Sequence, residues 1–201
     1  DPLWSRGLGD VYKRQNLRGR AQAFRGQSSA DYSLDEFAGE IAQVIAAYVT
    51  TPRYVLAGWS MGVSVTLATM ALLQRMGAQL PQAMILMSGS PVLQQTRWFH
   101  ETEHAALLEE IAAREQRLGL RDAADHDAVA WTWQSISHSD QRALLPMLDV
   151  PTLIVHGSAD EDSPWTHAQL LKRGLPQARL STIDDACLLY TSPSPRDQRG
   201  S

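Results

Sequence analysis

Cysteine is almost missing from this sequence. Its one cysteine, Cys187, can form no intramolecular disulfide, so a fold stapled by disulfides is excluded. A reducing compartment, the cytoplasm, is the default expectation for such a chain. Nowhere does an apolar run approach the roughly 20 residues that span a bilayer, and the N-terminus lacks the charged-then-apolar order of a signal peptide. An excess of basic residues is missing too. With 18 Lys and Arg against 22 Asp and Glu, the net charge of −4 gives no footprint for nucleic acid. Internal repeats and low-complexity runs are also wanting. What is present, 201 residues of which 44% are hydrophobic, suffices for one domain with a sizeable core.

The most informative stretch is Tyr54-Val55-Leu56-Ala57-Gly58-Trp59-Ser60-Met61-Gly62. A short apolar run ends in Gly-x-Ser-x-Gly and passes at once into helix formers, as at a nucleophile elbow. A serine that attacks a carbonyl projects from a sharp strand-to-helix turn, where its hydroxyl clears both elements. The spacing predicts a buried strand over 53–57 and a helix over 61–76 closed by Gly77. Gly58 and Gly62 are both expected to admit close backbone approach. The Met61 N–H, at the positive end of the helix, would face a developing oxyanion.

Elsewhere the chain alternates strand and helix. Ser33 with Glu36 makes a capping box ahead of a helix whose Phe37, Ile41, Val44, Ile45 and Tyr48 share one face. Apolar runs predict strands over 83–88, 152–155 and 178–183, and a helix over 165–173 stopped by Gly174. Buried strands separated by helices imply a parallel α/β sheet with helices on both faces. Between Pro91 and Pro146 no strand signal appears. Residues 101–118 and the region of Trp131, Trp133 and Ile136 read as helices, so 91–146 is expected to be a helical lid inserted between strands.

Two ends stand apart. Residues 1–15 and 187–201 fit no helical or strand template, and both resemble translated sequencing-adapter read-through of the kind found in assembled metagenomes. The native unit is therefore expected to span 16–186.

The order of motifs resembles the α/β-hydrolase family. Leu17-Arg18-Gly19-Arg20 is similar to the loop after its fourth strand, Gly58 to Gly62 to the elbow after its fifth, and His156-Gly157-x-x-Asp160 to the acid turn after its seventh. Gly-Trp-Ser-Met-Gly with a helical lid is also similar to small carboxylesterases. The resemblance implies Ser60 as nucleophile, the Met61 N–H as oxyanion donor and Asp160 as triad acid, with Asp162 a near competitor. It also implies a Gly-His after Ala186 as general base, and the sequence has Cys187 there instead. The family's earlier strands and its His-Gly oxyanion loop do not precede Leu17. The chain thus reads as an inactive interior piece of a longer hydrolase.

Six histidines remain, His100, His104, His126, His138, His156 and His167, and none is a good base. His156 belongs to the acid turn, and those of the lid sit among charged residues. His100 and His104 have helical spacing but no third ligand, so no metal is expected, nor any cofactor. Trp59 is placed beside the chemistry by Ser60, whereas Trp131 and Trp133 read as packing. The expected partner is a small-molecule acyl substrate; oligomeric state is not readable. Two rival functions stay open: acyl transfer, in which a second substrate replaces water, and a non-catalytic ligand-binding protein on the same fold.

Overall fold

The computed structural model describes residues 16–51, 53–96, 98–118 and 125–187. The expected adapter-like segments, apart from Cys187, lie outside the described residues. Four strands, β1 (Val55–Trp59), β2 (Ala83–Met87), β3 (Thr152–Gly157) and β4 (Ala178–Ile183), form one sheet in the order β1-β2-β3-β4. All three pairings are parallel, with Trp59 opposite Met87, Met87 opposite Val155 and His156 opposite Thr182. The helices are α1 (Leu34–Tyr48), α2 (Met61–Arg75), α3 (His104–Leu118), α4 (His126–Ile136) and α5 (Trp165–Gly174).

Local chemistry accounts for the element ends. Ser33 caps α1 by accepting the Glu36 N–H at 3.2 Å. The Glu36 carboxylate, expected to close a capping box, is drawn instead into an ion pair with Arg18 at 2.9 Å. The reciprocal box occurs one turn earlier, between Ser28 and Asp31, at the 3₁₀ turn Ser29–Tyr32. Gly77, at φ +62°, lets the chain leave α2 without Cβ strain.

Core formation follows the strand period of two. Met84, Leu86 and Ile154 point to one face, where they meet Val63, Leu67 and Met70 of α2 and Ala168 and Leu171 of α5. Helices were expected on both faces, and among the described residues α2 and α5 cover this one. Val55, Trp59, Leu153 and Ile183 belong to the opposite set and are 52%, 52%, 41% and 41% exposed. The fully buried strands read from continuous apolar runs are thus buried on one side, because α2 and α5 reach only alternate residues.

After β2 the chain leaves the sheet through a narrow neck. Val92 bridges Asp140 in antiparallel fashion, Leu93 N–H donates to the Ser139 carbonyl at 2.9 Å and Gln141 N–H to the Pro91 carbonyl at 2.8 Å. Between these points α3 and α4 pack on each other through Leu107, Ile111, Ala130 and Trp133, with Trp98 and Phe99 alongside. The 3₁₀ turn Arg142–Met147 beyond the neck sends Leu145 into the sheet core. No helix among the described residues is long and apolar enough to cross a membrane.

Candidate active site

Ser60 stands between β1 and α2 with φ +55° and ψ −122°. A non-glycine residue there is strained by about 1–3 kcal/mol, which the surrounding structure must hold in place. Its N–H continues the ladder to the Met87 carbonyl at 2.9 Å, and its carbonyl accepts the Val63 N–H at 3.0 Å. The Ser60 hydroxyl caps nothing in α2, and the residue is half-buried. The first-turn N–H groups of Met61 and Gly62 have no preceding helical carbonyl to bond.

Glycine is required at Gly58, where a Cβ would lie 2.2 Å from the Gly62 carbonyl oxygen and 2.5 Å from Thr66 Oγ1. At Gly62 the expectation is corrected. Among the described residues a Cβ there meets nothing within 4 Å, because the crowded partner of Gly58 is the Gly62 backbone itself. A second close approach, which the motif does not announce, is at Gly89, whose Cβ would sit 2.5 Å from the Ser60 carbonyl oxygen.

Asp160 lies just past β3, at the same C-terminal edge that carries Ser60, with β2 between them. Its Oδ1 accepts the N–H groups of Asp162 at 3.1 Å and Ser163 at 2.9 Å, and its Oδ2 accepts the Ser88 hydroxyl. Together the three donors fix the orientation of the carboxylate. Ser88, in the left-handed region at φ +47°, is fixed by its own N–H to the Val155 carbonyl at 3.1 Å. Sequence reasoning missed Ser88, since a serine after an apolar strand carries no signal of what it faces across the sheet.

Asp162 has a different occupation. Its Oδ1 pairs with Arg114 of α3 at 2.7 Å, and its carbonyl accepts the Trp98 indole N–H at 2.8 Å. The chain after β4 then folds back onto this turn. Ala159 N–H donates to the Ala186 carbonyl at 3.2 Å, and a Cβ on Gly157 would lie 1.9 Å from that oxygen, so glycine is required there.

Four of the six histidines have defined settings. His156 is fully buried, with Nε2 2.6 Å from the Ser163 carbonyl, so Nε2 carries the proton. Its Nδ1 and that of His167 are buried without a hydrogen-bond partner. Burial, and secondarily the neighbouring His156, hold His167 below the usual histidine range. His104 and His126 are not merely solvated: they pair with Asp127 at 2.7 Å and Glu115 at 2.6 Å, joining α3 to α4. Trp133 packs with Trp98 and Phe99, and Trp131 stacks on Tyr32. Trp59 is half-exposed on the sheet face away from α2. Among the described residues no group of three or more His, Cys, Asp or Glu could hold a metal ion. A cavity of about 470 Å³ lined by Ile45, Val49, Tyr54, Leu72 and Met76 lies at the far end of β1 and α2, away from Ser60.

No family model matches the sequence, and no curated protein matches it. Solved structures do. An esterase from Exiguobacterium antarcticum superposes with a TM-score of 0.66 at 22% identity, over 83% of this chain and 70% of that one. A bromoperoxidase from Bacillus anthracis gives 0.66 at 18% identity, over 84% and 71%. A putative aryl esterase from Burkholderia cenocepacia gives 0.66 at 18%, over 84% and 69%. With its parallel sheet, strained serine after β1 and carboxylate turn after β3, the chain has the α/β-hydrolase fold.

Proposed function

We propose that this chain carries the nucleophile and acid of a serine hydrolase acting on a carboxylic ester or related acyl bond of a small molecule. The observation that carries this reading is the backbone of Ser60, strained at φ +55° where a strand enters a helix, with a hydroxyl that caps nothing. Strain of this kind is retained where it aims a reacting group. Ser60 Oγ attacks the acyl carbon as a base takes its proton, the Met61 N–H donates to the oxyanion, and the alcohol leaves with that proton as an acyl-enzyme forms. Water then attacks that ester and releases the acid. Asp160, with both oxygens held by donors, is suited to orient an imidazole and stabilise its charged form. Asp162 is less suited, because its carboxylate is engaged by Arg114.

In this reading residues 16–186 are the hydrolase unit, and α3 and α4, within 91–146, form a lid over the crevice. The general base is the missing part. His156 is turned to Ser163, His167 is buried on α5, and His104 and His126 bind lid carboxylates. Loss of the base from a serine triad costs about six orders of magnitude in another hydrolase, so the chain as written is inactive.

The return of Ala186 to the acid turn supports restoring Gly-His at the next two positions. The test is p-nitrophenyl acetate and butyrate hydrolysis by the 201-residue chain and by its Cys187→Gly, Leu188→His variant. We expect turnover only in the variant, abolished by Ser60→Ala and strongly reduced by Asp160→Asn. Turnover in the variant that survives Ser60→Ala overturns the reading.

A further inference from the structure

Arg114 reaches from the middle of α3 to the turn that holds Asp160. Its guanidinium lies 2.7 Å from Asp162 Oδ1, and the two side chains are 15% and 9% exposed. The Phe99 ring backs that guanidinium at 5.7 Å, and Trp98 Nε1–H donates to the Asp162 carbonyl at 2.8 Å. So α3 and the segment before it grip both the side chain and the backbone of one residue. That residue's own N–H, with that of Ser163, is what Asp160 Oδ1 accepts.

From this geometry we infer that Arg114 is a positioning residue that couples the docking of α3 to the set of the Asp160 carboxylate. The inference rests on the reading of Asp160 as the triad acid and of α3 and α4 as a lid. When α3 is docked, Asp162 is pinned on two sides, and its N–H is held toward Asp160. When α3 lifts to admit substrate, the charge of Asp162 and its carbonyl lose these partners together. The peptide from Asp160 to Ser163 then gains freedom, and Oδ1 loses an oriented donor. Ser88 holds Oδ2, while both donors to Oδ1 belong to the loosened turn, so the carboxylate can swing about the Ser88 contact. The acid is thus fully oriented only under a closed lid, which confines the reactive arrangement to the state in which the crevice is shielded from bulk solvent. A mostly buried guanidinium suits this role because its fork is rigid, and removing it takes an ion pair away from the docked state.

The experiment follows amide hydrogen exchange and amide proton shifts at Asp162 and Ser163 in the 201-residue chain, with peptides from α2 and α5 as internal controls. Arg114→Ala and Arg114→Met, the second keeping the apolar stem, are expected to speed exchange in both α3 and the acid turn by about tenfold or more. The Asp162 and Ser163 amide protons should also shift upfield as they lose the carboxylate. Arg114→Lys should fall between, and the exchanged pair Arg114→Asp with Asp162→Arg should restore much of the protection. If α3 loosens while the acid-turn amides keep their exchange rates and shifts, the coupling is refuted. Should Arg114→Ala also deprotect α2 and α5, the chain has lost its fold, and the comparison of Arg114→Lys with the exchanged pair decides. None of these readouts needs turnover, so an inert Ser60 would sink the hydrolase reading without altering the measured coupling, and absent coupling would refute this inference without touching the hydrolase reading.

Discussion

At the scale of single residues, two glycines of one motif have different physical duties. A Cβ on Gly58 would lie 2.2 Å from the Gly62 carbonyl oxygen, so its absence lets the strand approach α2 more closely than any side chain permits, whereas Gly62 contributes only its backbone to that contact. Gly58→Ala is therefore expected to lower stability by about 1–3 kcal/mol through overpacking. Gly62→Ala, in a helical first turn with open space, should be neutral or gain up to about 1 kcal/mol. Urea unfolding of the two variants checks the contrast. His167 supplies a pH effect of defined sign. Burial lowers its folded-state pKa below that of the unfolded chain, so between those two values the unfolded chain holds the extra proton. Stability is thus unaffected above the ordinary histidine range and falls as pH drops through it. Melts at about pH 7.5 and 5 should show a smaller acid-side loss in His167→Gln.

At the scale of elements, α4 shows how much a sequence discloses. Its apolar face was legible from Trp131, Trp133 and Ile136, but its start was not, because Asp122, Asp125 and Asp127 are all residues of the N-cap type. The start is set by Asp125, whose Oδ1 accepts the Ala128 N–H at 3.1 Å and whose other oxygen pairs with Arg25. Asp125→Ala should cost about 1 kcal/mol or more of stability, while Asp125→Asn, which keeps the cap and loses an exposed pair, should cost less. Circular dichroism through urea unfolding distinguishes them. Strand β4 and helix α5 matched their sequence boundaries closely, since Gly174 and the apolar alternation act locally. The elbow and acid turn were legible for the same reason: each is a short motif bound to a strand end. Ser88 and Arg114 were not. Each meets its partner across roughly fifty or more residues of sequence, and only the parallel order of β2 beside β3, or the return of α3, brings them together.

At the scale of the whole molecule, the described sheet is finished on one face and open on the other. Val55, Trp59, Leu153 and Ile183 on the open face, and β1 at the sheet's described edge, are surfaces of the kind that proteins otherwise cover. The covered face holds α2 and α5, which fix the Ser60 and Asp160 turns with respect to the same core. The C-terminal edge then gathers the strained serine, the thrice-held carboxylate and the returning Ala186. On the proposed hydrolase reading, the role left open at this edge is that of the base.

The central claim, that this edge is built for Ser60 chemistry, is tested most directly by initial rates of p-nitrophenyl butyrate hydrolysis in the Cys187→Gly, Leu188→His chain with and without Ser60→Ala. A restored general base should give a Ser60-dependent rate about a hundredfold or more above the Ser60→Ala control. Equal rates with and without the Ser60 hydroxyl, in protein whose helical content is unchanged, would contradict it.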